Sequence, residues 1–253
     1  MSSDQPGPLI GAGRAADVYA LGENALGEQR VLRRYRNGGG AEREAGVMAH
    51  LAGAGYPVPR VYDASGPDLV MERLDGRDML ADLSSRPWLV RQYARTLAKL
   101  HDRLHAIVAP PSLAQQFGPG DRILHLDLHP GNVMLTTRGP VVIDWSNVSA
   151  GAPAADVAMA WLIIATSEVD APPLLLRPAV SSIRAALLRR FRALAGDDPG
   201  PELARVARAR MTDRNIRPAE VRRLQTIADA ADRRAWPPFR RALRRGRGYG
   251  SNR

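Results

Sequence analysis

Short apolar runs separated by polar and glycine-rich turns fill the first seventy residues of the chain. Runs of this length predict β-strands, and five are present, at residues 9–10, 17–21, 31–35, 60–62 and 69–71. Val47 and Leu51 share the spacing of one helix face, which predicts a helix over residues 42–52. The N-terminal part is therefore expected to be a small sheet interrupted by one helix.

Helical periods replace these short runs beyond residue 73. Apolar side chains recur there at three- and four-residue steps, at Leu89, Tyr93, Leu97, Leu100 and Leu104. We expect Ser84 or Ser85 to cap this helix, with Pro87 in its first turn. Further helices are predicted at residues 157–165, near 181–195, at 202–211 and at 219–231.

The helix at residues 157–165 is almost wholly apolar, so it should be buried at the centre of a helical layer, with Asp156 as its N-cap. The pattern turns from sheet-rich to helix-rich at residues 72–76. We therefore predict an α+β, bilobal chain with an N-terminal lobe over 1–74 and a larger, mainly helical lobe over 75–253. Residues 234–253 form a basic tail that we expect to be solvated and partly disordered.

The stretch His-Leu-Asp-Leu-His-Pro-Gly-Asn-Val-Met-Leu at residues 125–135 places Asp127 five residues before Asn132. Apolar runs at 133–135 and 141–143 predict a hairpin, which would return Asp144 to the neighbourhood of Asn132. Phosphoryl transfer needs a carboxylate that accepts the proton of an attacking hydroxyl, and an Asn and an Asp that hold Mg²⁺. We therefore predict Asp127 as the catalytic base and Asn132 and Asp144 as metal ligands. Taken singly, each of the three could be an ordinary turn, cap or strand-end residue.

A glycine-containing turn at Gly11 and Gly13 lies between the first two predicted strands, where backbone amides could approach a phosphate. On the third strand Arg33 could neutralise phosphate and pair with Glu44 of the following helix. If the facing of that strand is shifted by one residue, Arg34 takes the place of Arg33.

Adenine needs an apolar slot with a backbone donor and acceptor at its edge. The backbone of Glu72 and Leu74 could supply these two groups. The walls of the slot are expected to come from both lobes, at Ile10, Val18, Val31, Met134 and Ile143. Each of these apolar residues also fits an ordinary core position.

Two histidines flank the Asp127 loop, and neither spacing fits a zinc site. We interpret His125 as a packing and hydrogen-bonding brace, and His129 as a residue that supports the site or contacts the acceptor. Asp156 is expected to steady the loop rather than to react.

Cysteine is absent, and the first ten residues lack the basic start and apolar run of a signal peptide. The longest apolar run, at 157–165, is far short of the ~20 residues that cross a bilayer. These features favour a cytoplasmic protein. The net charge of +10 comes almost entirely from arginine, since Lys99 is the only lysine. No nucleic-acid-binding module accompanies that charge.

Together these residues resemble the aminoglycoside phosphotransferase and choline kinase superfamily, whose small-molecule kinases share the protein-kinase-like fold. The resemblance runs from about Leu9 to Ala165 and implies a nucleotide-binding N-terminal lobe and a catalytic C-terminal lobe. It implies Asp127 as base, Asn132 and Asp144 as magnesium ligands, Arg33 and Glu44 as the phosphate-contacting pair, and the backbone of residues 72–74 as the adenine hinge. Two positions depart from the family pattern, because Leu126 stands where glycine is usual and Arg33 where lysine is usual.

The function we expect is transfer of the γ-phosphate of ATP, or alternatively GTP, with Mg²⁺, to a hydroxyl of a small acceptor such as an antibiotic, a sugar or an amino alcohol. Arginines outnumber carboxylates in the C-terminal part, so a neutral or anionic acceptor is at least as well supported as a cationic aminoglycoside. A protein kinase is disfavoured because Asp144 lies only twelve residues before Asp156, with no Ala-Pro-Glu between them. The alternative from another class is a kinase-like binding module without turnover, whose basic tail contacts RNA or membrane.

Overall fold

A five-stranded antiparallel sheet with one helix packed beside it forms the N-terminal part of the molecule. The computed structural model describes residues 6–13, 15–167, 174–213 and 216–233, so the predicted tail at 234–253 lies outside the described residues. The strands are β1 (Leu9–Ala12), β2 (Ala16–Glu23), β3 (Gln29–Tyr35), β4 (Val61–Ser65) and β5 (Asp68–Glu72), with α1 (Ala41–Gly53) between β3 and β4. The order in the sheet is β1-β2-β3-β5-β4, and the five strand predictions and the helix are confirmed.

The connection between the two parts runs from the end of β5 into the short strand β6 (Arg77–Asp78). Gly76 has a φ of 140°, and a Cβ atom there would meet the carbonyl oxygen of Leu135 at 2.1 Å, so only glycine fits this crossing. β6 then pairs with β9 (Val133–Thr136), which pairs with β10 (Gly139–Val142). The predicted hairpin is thus confirmed, with β6 as a third strand that the sequence pattern did not predict.

Seven helices are present in the described ranges. After α1 they are α2 (Met79–Ser85), α3 (Val90–Leu104), α4 (Pro153–Thr166), α5 (Arg177–Leu194), α6 (Leu203–Met211) and α7 (Pro218–Asp232). A second small sheet is made of β7 (Gln115–Phe117), β8 (Arg122–Leu124) and β11 (Ser149–Gly151), in the order β7-β11-β8. The last ninety residues contribute helices close to those predicted.

Two predicted helix caps are wrong. Ser84 and Ser85 lie at the end of α2, where their hydroxyls donate to carbonyls one turn back, and Pro87 begins a 3-10 turn that leads into α3. The N-cap of α4 is Ala152, because Pro153 can occupy the first helical position. Asp156 therefore lies one turn inside α4, fully buried, and its carboxylate is free to bind elsewhere.

The core has two main parts. One joins α1 and α3 to the β9–β10 hairpin and contains the fully buried Trp145. The other surrounds α4 and joins it to α6, α7 and Leu126. Because α4 is buried on nearly every side, as its composition predicts, it is a rigid support for the loop that precedes β9. No helix in the described ranges is long and apolar enough to span a membrane.

Candidate active site

The β9–β10 hairpin brings the three polar residues of the predicted site to one place. Val142 pairs with Val133, so the chain returns to the point where β9 began. The backbone N–H of Ile143 then donates to the carbonyl oxygen of Asn132 at 3.0 Å. Asp144, the next residue, therefore lies beside Asn132, as the spacing of the two apolar runs predicts.

Asn132 also holds Asp127. Its Nδ2 donates to the backbone oxygen of Asp127 at 2.9 Å and to the Oδ2 carboxylate oxygen at 3.1 Å. The separation of five residues matters here, because a 3-10 turn at Pro130–Asn132 folds the amide back onto the loop. Asp127 and Asn132 are thus one hydrogen-bonded unit.

Asp144 has a backbone in the left-handed region, with a φ of 64°. Its Oδ1 accepts from Arg33 Nη2 at 2.6 Å and from Ser146 Oγ at 2.7 Å. Burial acts to raise the pKa of Asp144, but the Arg33 guanidinium outweighs it and holds this pKa below the ordinary value. Asp144 is consequently ionised, and Ser146 is a contact that the motif did not indicate.

Arg33 points into the molecule, and its neighbour Arg34 points out. Arg33 Nη1 lies 3.5 Å from Glu44 Oε1, while Arg34 pairs with the surface carboxylate of Asp68. The alternative that Arg34 serves the site is therefore wrong, because the pleat of β3 sends it to the solvent face. The other contacts of Glu44 are with the Tyr35 hydroxyl and with the backbone N–H of Trp145, at 3.0 Å for the latter. Glu44 thereby joins α1 to the segment that carries Asp144.

The loop that carries Asp127 is held in place by Asp156 of α4. Asp156 accepts from the backbone N–H of Leu126 at 2.7 Å and of His125 at 3.2 Å. Leu126 has a φ of 59°, a conformation that leucine rarely adopts. Two hydrogen bonds from backbone N–H groups to a fully buried carboxylate hold this bend in place, which is the loop-steadying role expected of Asp156.

His105 is a residue of this support that the sequence reasoning missed. Its Nε2 lies 3.0 Å from Asp156 Oδ2, and its Nδ1 lies 3.5 Å from Asp197 Oδ2 in the connection after α5. Burial acts to lower the pKa of His105, but the two carboxylates raise it to about 9. The same charge holds the pKa of Asp156 well below its usual range, against the effect of burial. No spacing signal in the sequence marks this pair, since 51 residues separate His105 from Asp156.

The two histidines that flank Asp127 both accept a hydrogen bond from a backbone N–H of its loop. His125 is fully buried, accepts at Nδ1 from the Asp127 N–H at 3.2 Å and meets the Ile143 carbonyl through Nε2 at 3.1 Å. It also packs on Trp145, with ring centroids 4.4 Å apart, so its predicted brace geometry is present. His129 accepts at Nδ1 from the Gly131 N–H and directs Nε2 toward Asp127, 3.7 Å away. Burial lowers the pKa of both imidazoles.

Burial raises the pKa of Asp127 above its ordinary value, and the charge of Asp144 adds to the rise. The charges of His129 and Arg210 act in the opposite direction. A carboxylate with a raised pKa is a stronger proton acceptor than an exposed one. This electrostatic setting suits Asp127 to receive a proton.

The oxygen atoms left over at the site fit a hard divalent cation. Asn132 Oδ1 and Asp144 Oδ2 have no hydrogen-bond partner among the described residues, because the amide nitrogen and Oδ1 respectively make the bonds given above. Within the described ranges no group of three or more His, Asp or Glu side chains is placed to hold an ion alone. Mg²⁺ ordinarily takes one or two protein oxygens and fills its remaining positions with phosphate and water, so this sparse donor set fits it.

The residues predicted to line an adenine slot come from the sheet and from the hairpin. Val18, Met134 and Ile143 are half-buried, while Val133 and Val142 on the opposite faces are buried completely. Val31 is buried, and Ile10 is largely exposed at the end of the sheet. The half-buried residues are placed as the lining of a cleft would be, and their contact with a nucleotide stays a prediction.

In the segment predicted to bind the adenine edge, the N–H of Glu72 donates to the Arg60 carbonyl oxygen at 2.8 Å. That of Leu74 makes no hydrogen bond in the described part of the chain. Gly13 donates its N–H to the Ala16 carbonyl at 2.9 Å, and neither Gly11 nor Gly13 has a positive φ. The turn therefore does not need glycine for its backbone angles. A Cβ at Gly13 would come within 3.2 Å of the Ala16 oxygen, so glycine allows the two sides of the turn to lie close together.

Sequence and structure comparisons agree on the class of protein. The chain matches the phosphotransferase enzyme family, APH, over residues 7–119 and 104–194. No curated protein matches it in sequence. Among solved structures the fold is similar to that of the amicoumacin kinase hAmiN in complex with AMP-PNP, Ca²⁺ and Ami, with a TM-score of 0.53, 15% identity, and 92% of this chain and 90% of that one covered.

Two further structures share the fold. Aminoglycoside phosphotransferase APH(4)-Ia gives a TM-score of 0.54 at 17% identity, with 91% of this chain and 94% of that one covered. An ethanolamine kinase from Plasmodium vivax gives 0.53 at 13% identity, with 88% and 81% covered. The molecule thus has the bilobal kinase-like fold. The chain belongs to the phosphotransferase enzyme family, and the predicted superfamily is confirmed.

Proposed function

We propose that this protein transfers the γ-phosphate of ATP to a hydroxyl group of a small molecule. The observation that carries this proposal is the convergence of Asp127, Asn132 and Asp144 around the start and end of one hairpin. A carboxylate with a raised pKa lies there beside an amide and an ionised carboxylate that keep free oxygens. This is the set of groups that phosphoryl transfer to an alcohol requires.

Asp127 is the proposed base. It orients the acceptor hydroxyl, and its carboxylate takes the proton as the oxygen of that hydroxyl bonds to phosphorus and the bond from phosphorus to the nucleoside diphosphate breaks. Asn132 fixes the rotamer of Asp127 through the 3.1 Å hydrogen bond, and Asp156 fixes the backbone on which it sits. Positioning of this kind contributes much of the rate in phosphoryl transfer.

Asn132 and Asp144 would hold Mg²⁺ through the oxygens that have no other partner. When bound, the ion supplies positive charge that offsets the charge of the transferring phosphoryl group. Arg33 neutralises Asp144 from the opposite side and lies where it could contact phosphate, with Glu44 holding it in place. The guanidinium of Arg33 carries several N–H donors in one plane, so it can stay paired with Glu44 and Asp144 while its outer edge donates to the nucleotide.

The short segment after Asp144 supports a small acceptor rather than a polypeptide. Residues 145–147 form a 3-10 turn, and β11 at Ser149–Gly151 is bonded on both sides, to β7 and β8. Only Ala152 then separates β11 from α4. A protein kinase uses a long loop at this place as the platform for its peptide substrate, and none fits here.

The relatives of known structure favour the same reading of the acceptor. The amicoumacin kinase and the ethanolamine kinase are named for small molecules, and the former was solved with an ATP analogue and a divalent cation. At 13–17% identity these likenesses establish the fold, and the donor and acceptor of this chain are part of the proposal. ATP is the proposed donor, and GTP is to be tested beside it.

The experiment is a Mg²⁺-dependence series with purified protein. Release of ADP from ATP, or of GDP from GTP, is followed with and without a panel of hydroxyl compounds. The wild type should release ADP only with the divalent cation. Asp127→Asn should bind nucleotide normally and lose at least about a hundredfold in kcat, whereas Asp144→Ala should lose cation-dependent nucleotide binding. Asp121→Asn is the matched control, since Asp121 is 70% exposed and far from the site in its contacts.

Failure of nucleotide to bind the wild type with any divalent cation would sink the proposal. If nucleotide binds but Asp127→Asn hydrolyses and transfers as fast as the wild type, the assignment of the base is wrong. Normal nucleotide binding with no turnover in the wild type would instead favour the kinase-like binding module.

A further inference from the structure

Arg210 is a half-buried arginine that the catalytic assignments above leave unused. It lies on α6, a helix that contributes to the buried cluster around α4. Val206 and Ala207 belong to the same buried cluster as Leu126, the residue immediately before Asp127. Arg210 follows these two by four and three residues, so it lies on the same face of α6 as they do.

The guanidinium of Arg210 is fixed along one edge only. Nε donates to Glu220 Oε1 at 2.9 Å, and Nη2 lies 2.8 Å from the same oxygen. Each side chain of the pair is only 9% exposed. The Thr166 hydroxyl also donates to Glu220 Oε1, at 3.2 Å, so the carboxylate is anchored to the end of α4. Such a pair is rigid, because both partners are held in place before any ligand arrives.

The other edge of the guanidinium is available. Nη1 makes no hydrogen bond within the described ranges, and it is not among the buried polar atoms that lack a partner, so it keeps access to solvent. The charge of Arg210 acts on the ionisation of both Asp127 and His129, lowering the pKa of each. The open edge thus belongs to a preorganised cation on the face of α6 that shares a buried cluster with Leu126, the residue before Asp127.

Arg210 lies in the helical part of the molecule, whereas Arg33 lies on the sheet and meets Asp144. The nucleotide side thus has its own guanidinium. The carboxylate nearest Arg210 is Glu220, which is buried and already paired, so it offers nothing to a cationic group. A guanidinium with an open edge matches carboxylate or phosphate through two parallel hydrogen bonds.

We propose that Arg210 binds an anionic group of the acceptor, a carboxylate or phosphate that lies close to the hydroxyl to be phosphorylated. This inference rests on the proposed function and adds the chemical class of the acceptor. Glu220 is the positioning residue that aims the guanidinium.

The test compares acceptors that differ only in charge. ADP release with Mg-ATP is measured for hydroxy acids and their amides, glycerate against glyceramide, and for glycerol 3-phosphate against glycerol, with ethanolamine as the cationic member. Binding of malonate, malonamide and inorganic phosphate to the Mg-ADP complex is measured by calorimetry. We expect kcat/KM for an anionic member to exceed that of its neutral partner by about tenfold or more.

Three variants assign that preference to Arg210. Arg210→Met should abolish the ratio of acid to amide while leaving the KM for ATP unchanged. Arg210→Met with Glu220→Met removes both partners, so no unpaired buried charge is left, and it should give the same loss. Arg208→Met is the matched control, because Arg208 lies on the same helix but pairs with Asp232 at the surface.

Several outcomes overturn the inference while the proposed function survives. These are equal use of acid and amide, preference for ethanolamine, an acid preference that persists in Arg210→Met, or an equal loss for every acceptor and for ATP hydrolysis alone. The last result would place Arg210 on the transferring phosphoryl group. Absence of both transfer to the panel and binding of malonate and phosphate also counts against it. Failure of Mg-nucleotide binding is the separate result that removes the proposed function itself.

Discussion

Two residues of the site have backbone angles that side chains other than glycine rarely adopt. Leu126 and Asp144 are the non-glycine residues with positive φ in the described part of the chain, at 59° and 64°. Such angles cost about 1–2 kcal/mol each and persist where the surroundings fix them. At Leu126 the surroundings are the Asp156 hydrogen bond and the burial of the leucine side chain under α4 and α6. The family pattern has glycine at this position, so the chain accepts strain there in return for a buried side chain.

Because of this strain, we expect glycine to be more stable than alanine at position 126, the reverse of the usual order. Leu126→Ala loses the buried side chain and keeps the strained angle, whereas Leu126→Gly loses the side chain and relieves the strain. We expect the glycine variant to be the more stable by about 1 kcal/mol, although glycine is normally the less stable of the two in a folded chain. Urea denaturation of both variants measures the difference. An alanine variant at least as stable as the glycine variant would show that the position is unstrained.

The raised pKa of Asp127 predicts how kcat falls on the acid side of its pH profile, called the acid limb here. The base must be ionised to accept a proton, so kcat should fall as the pH falls through a value above the ordinary Asp pKa of about 4. Because the charge of Arg210 lowers this pKa, Arg210→Met should move the acid limb to higher pH. The kcat profile at saturating ATP and acceptor gives both values. A limb that does not move in the variant would mean that Arg210 lies too far away to affect Asp127.

At the scale of elements, the buried network around Asp156 ties four segments together. α4 supplies Asp156, the end of α3 supplies His105, the connection after α5 supplies Asp197, and the catalytic loop supplies two backbone N–H groups. His101 packs beside His105, with ring centroids 5.7 Å apart, and burial lowers its pKa to about 4. One histidine of this pair is therefore charged and the other neutral near pH 7.

This network predicts a loss of stability in mild alkali. The pKa of His105 in the folded protein, about 9, exceeds its ordinary value of 6.5, so its contribution is fully present below 6.5 and is lost as the pH rises through 9. His101 has the opposite sign, since its folded pKa is depressed, and it reduces stability as the pH falls from 6.5 toward 4. The melting temperature should therefore decline between pH 6.5 and 9.

His105→Gln should be less stable than the wild type at pH 6.5, and its melting temperature should be nearly flat from there to pH 9. Each kcal/mol lost corresponds to about 2–4 °C in a chain of this size. His50→Gln is the control, since His50 is exposed and its ring bonds to the Val108 carbonyl, away from Asp156. A decline with pH that persists unchanged in His105→Gln would remove the proposed ionisation.

For the whole molecule, Mg-nucleotide should stabilise the fold by joining the two parts. A ligand at a hundred times its Kd adds about 2.7 kcal/mol to the free energy of unfolding, which is about 5–11 °C here. We expect this shift in a thermal melt with Mg-ATP, and little or none with ATP and a chelator. Asp144→Ala should abolish it and Asp121→Asn should keep it. An equal shift with and without the divalent cation would argue against the proposed ligands.

Local spacing allowed the hairpin, the unit of Asp127 and Asn132, and the inward facing of Arg33 to be predicted, because each depends on contacts between neighbours or on one strand's pleat. The caps at Ser84 and Asp156 were predicted from the same local rules and were wrong. Asp156 shows why, since its partners lie 30, 31 and 51 residues away and compete for a carboxylate that could otherwise cap α4. Tertiary demand overrode the local preference.

Contacts across large sequence separations explain what the sequence could not indicate. His105 and Arg210 are parts of helical patterns with ordinary composition, and only the tertiary packing brings them to their partners Asp156 and Glu220. The strands β7, β8 and β11 have three residues each, too few for a periodic signal. The division of the chain at residue 74 stays a prediction.

The pairing of β11 with both β7 and β8 limits how the activity of this protein could be regulated. The segment after Asp144 leads directly into β11, which has a neighbouring strand on each side. It is therefore held in place and cannot act as a loop that opens, becomes ordered when it is modified, or blocks the site. A kinase of the proposed function would therefore lack a regulatory loop at this position.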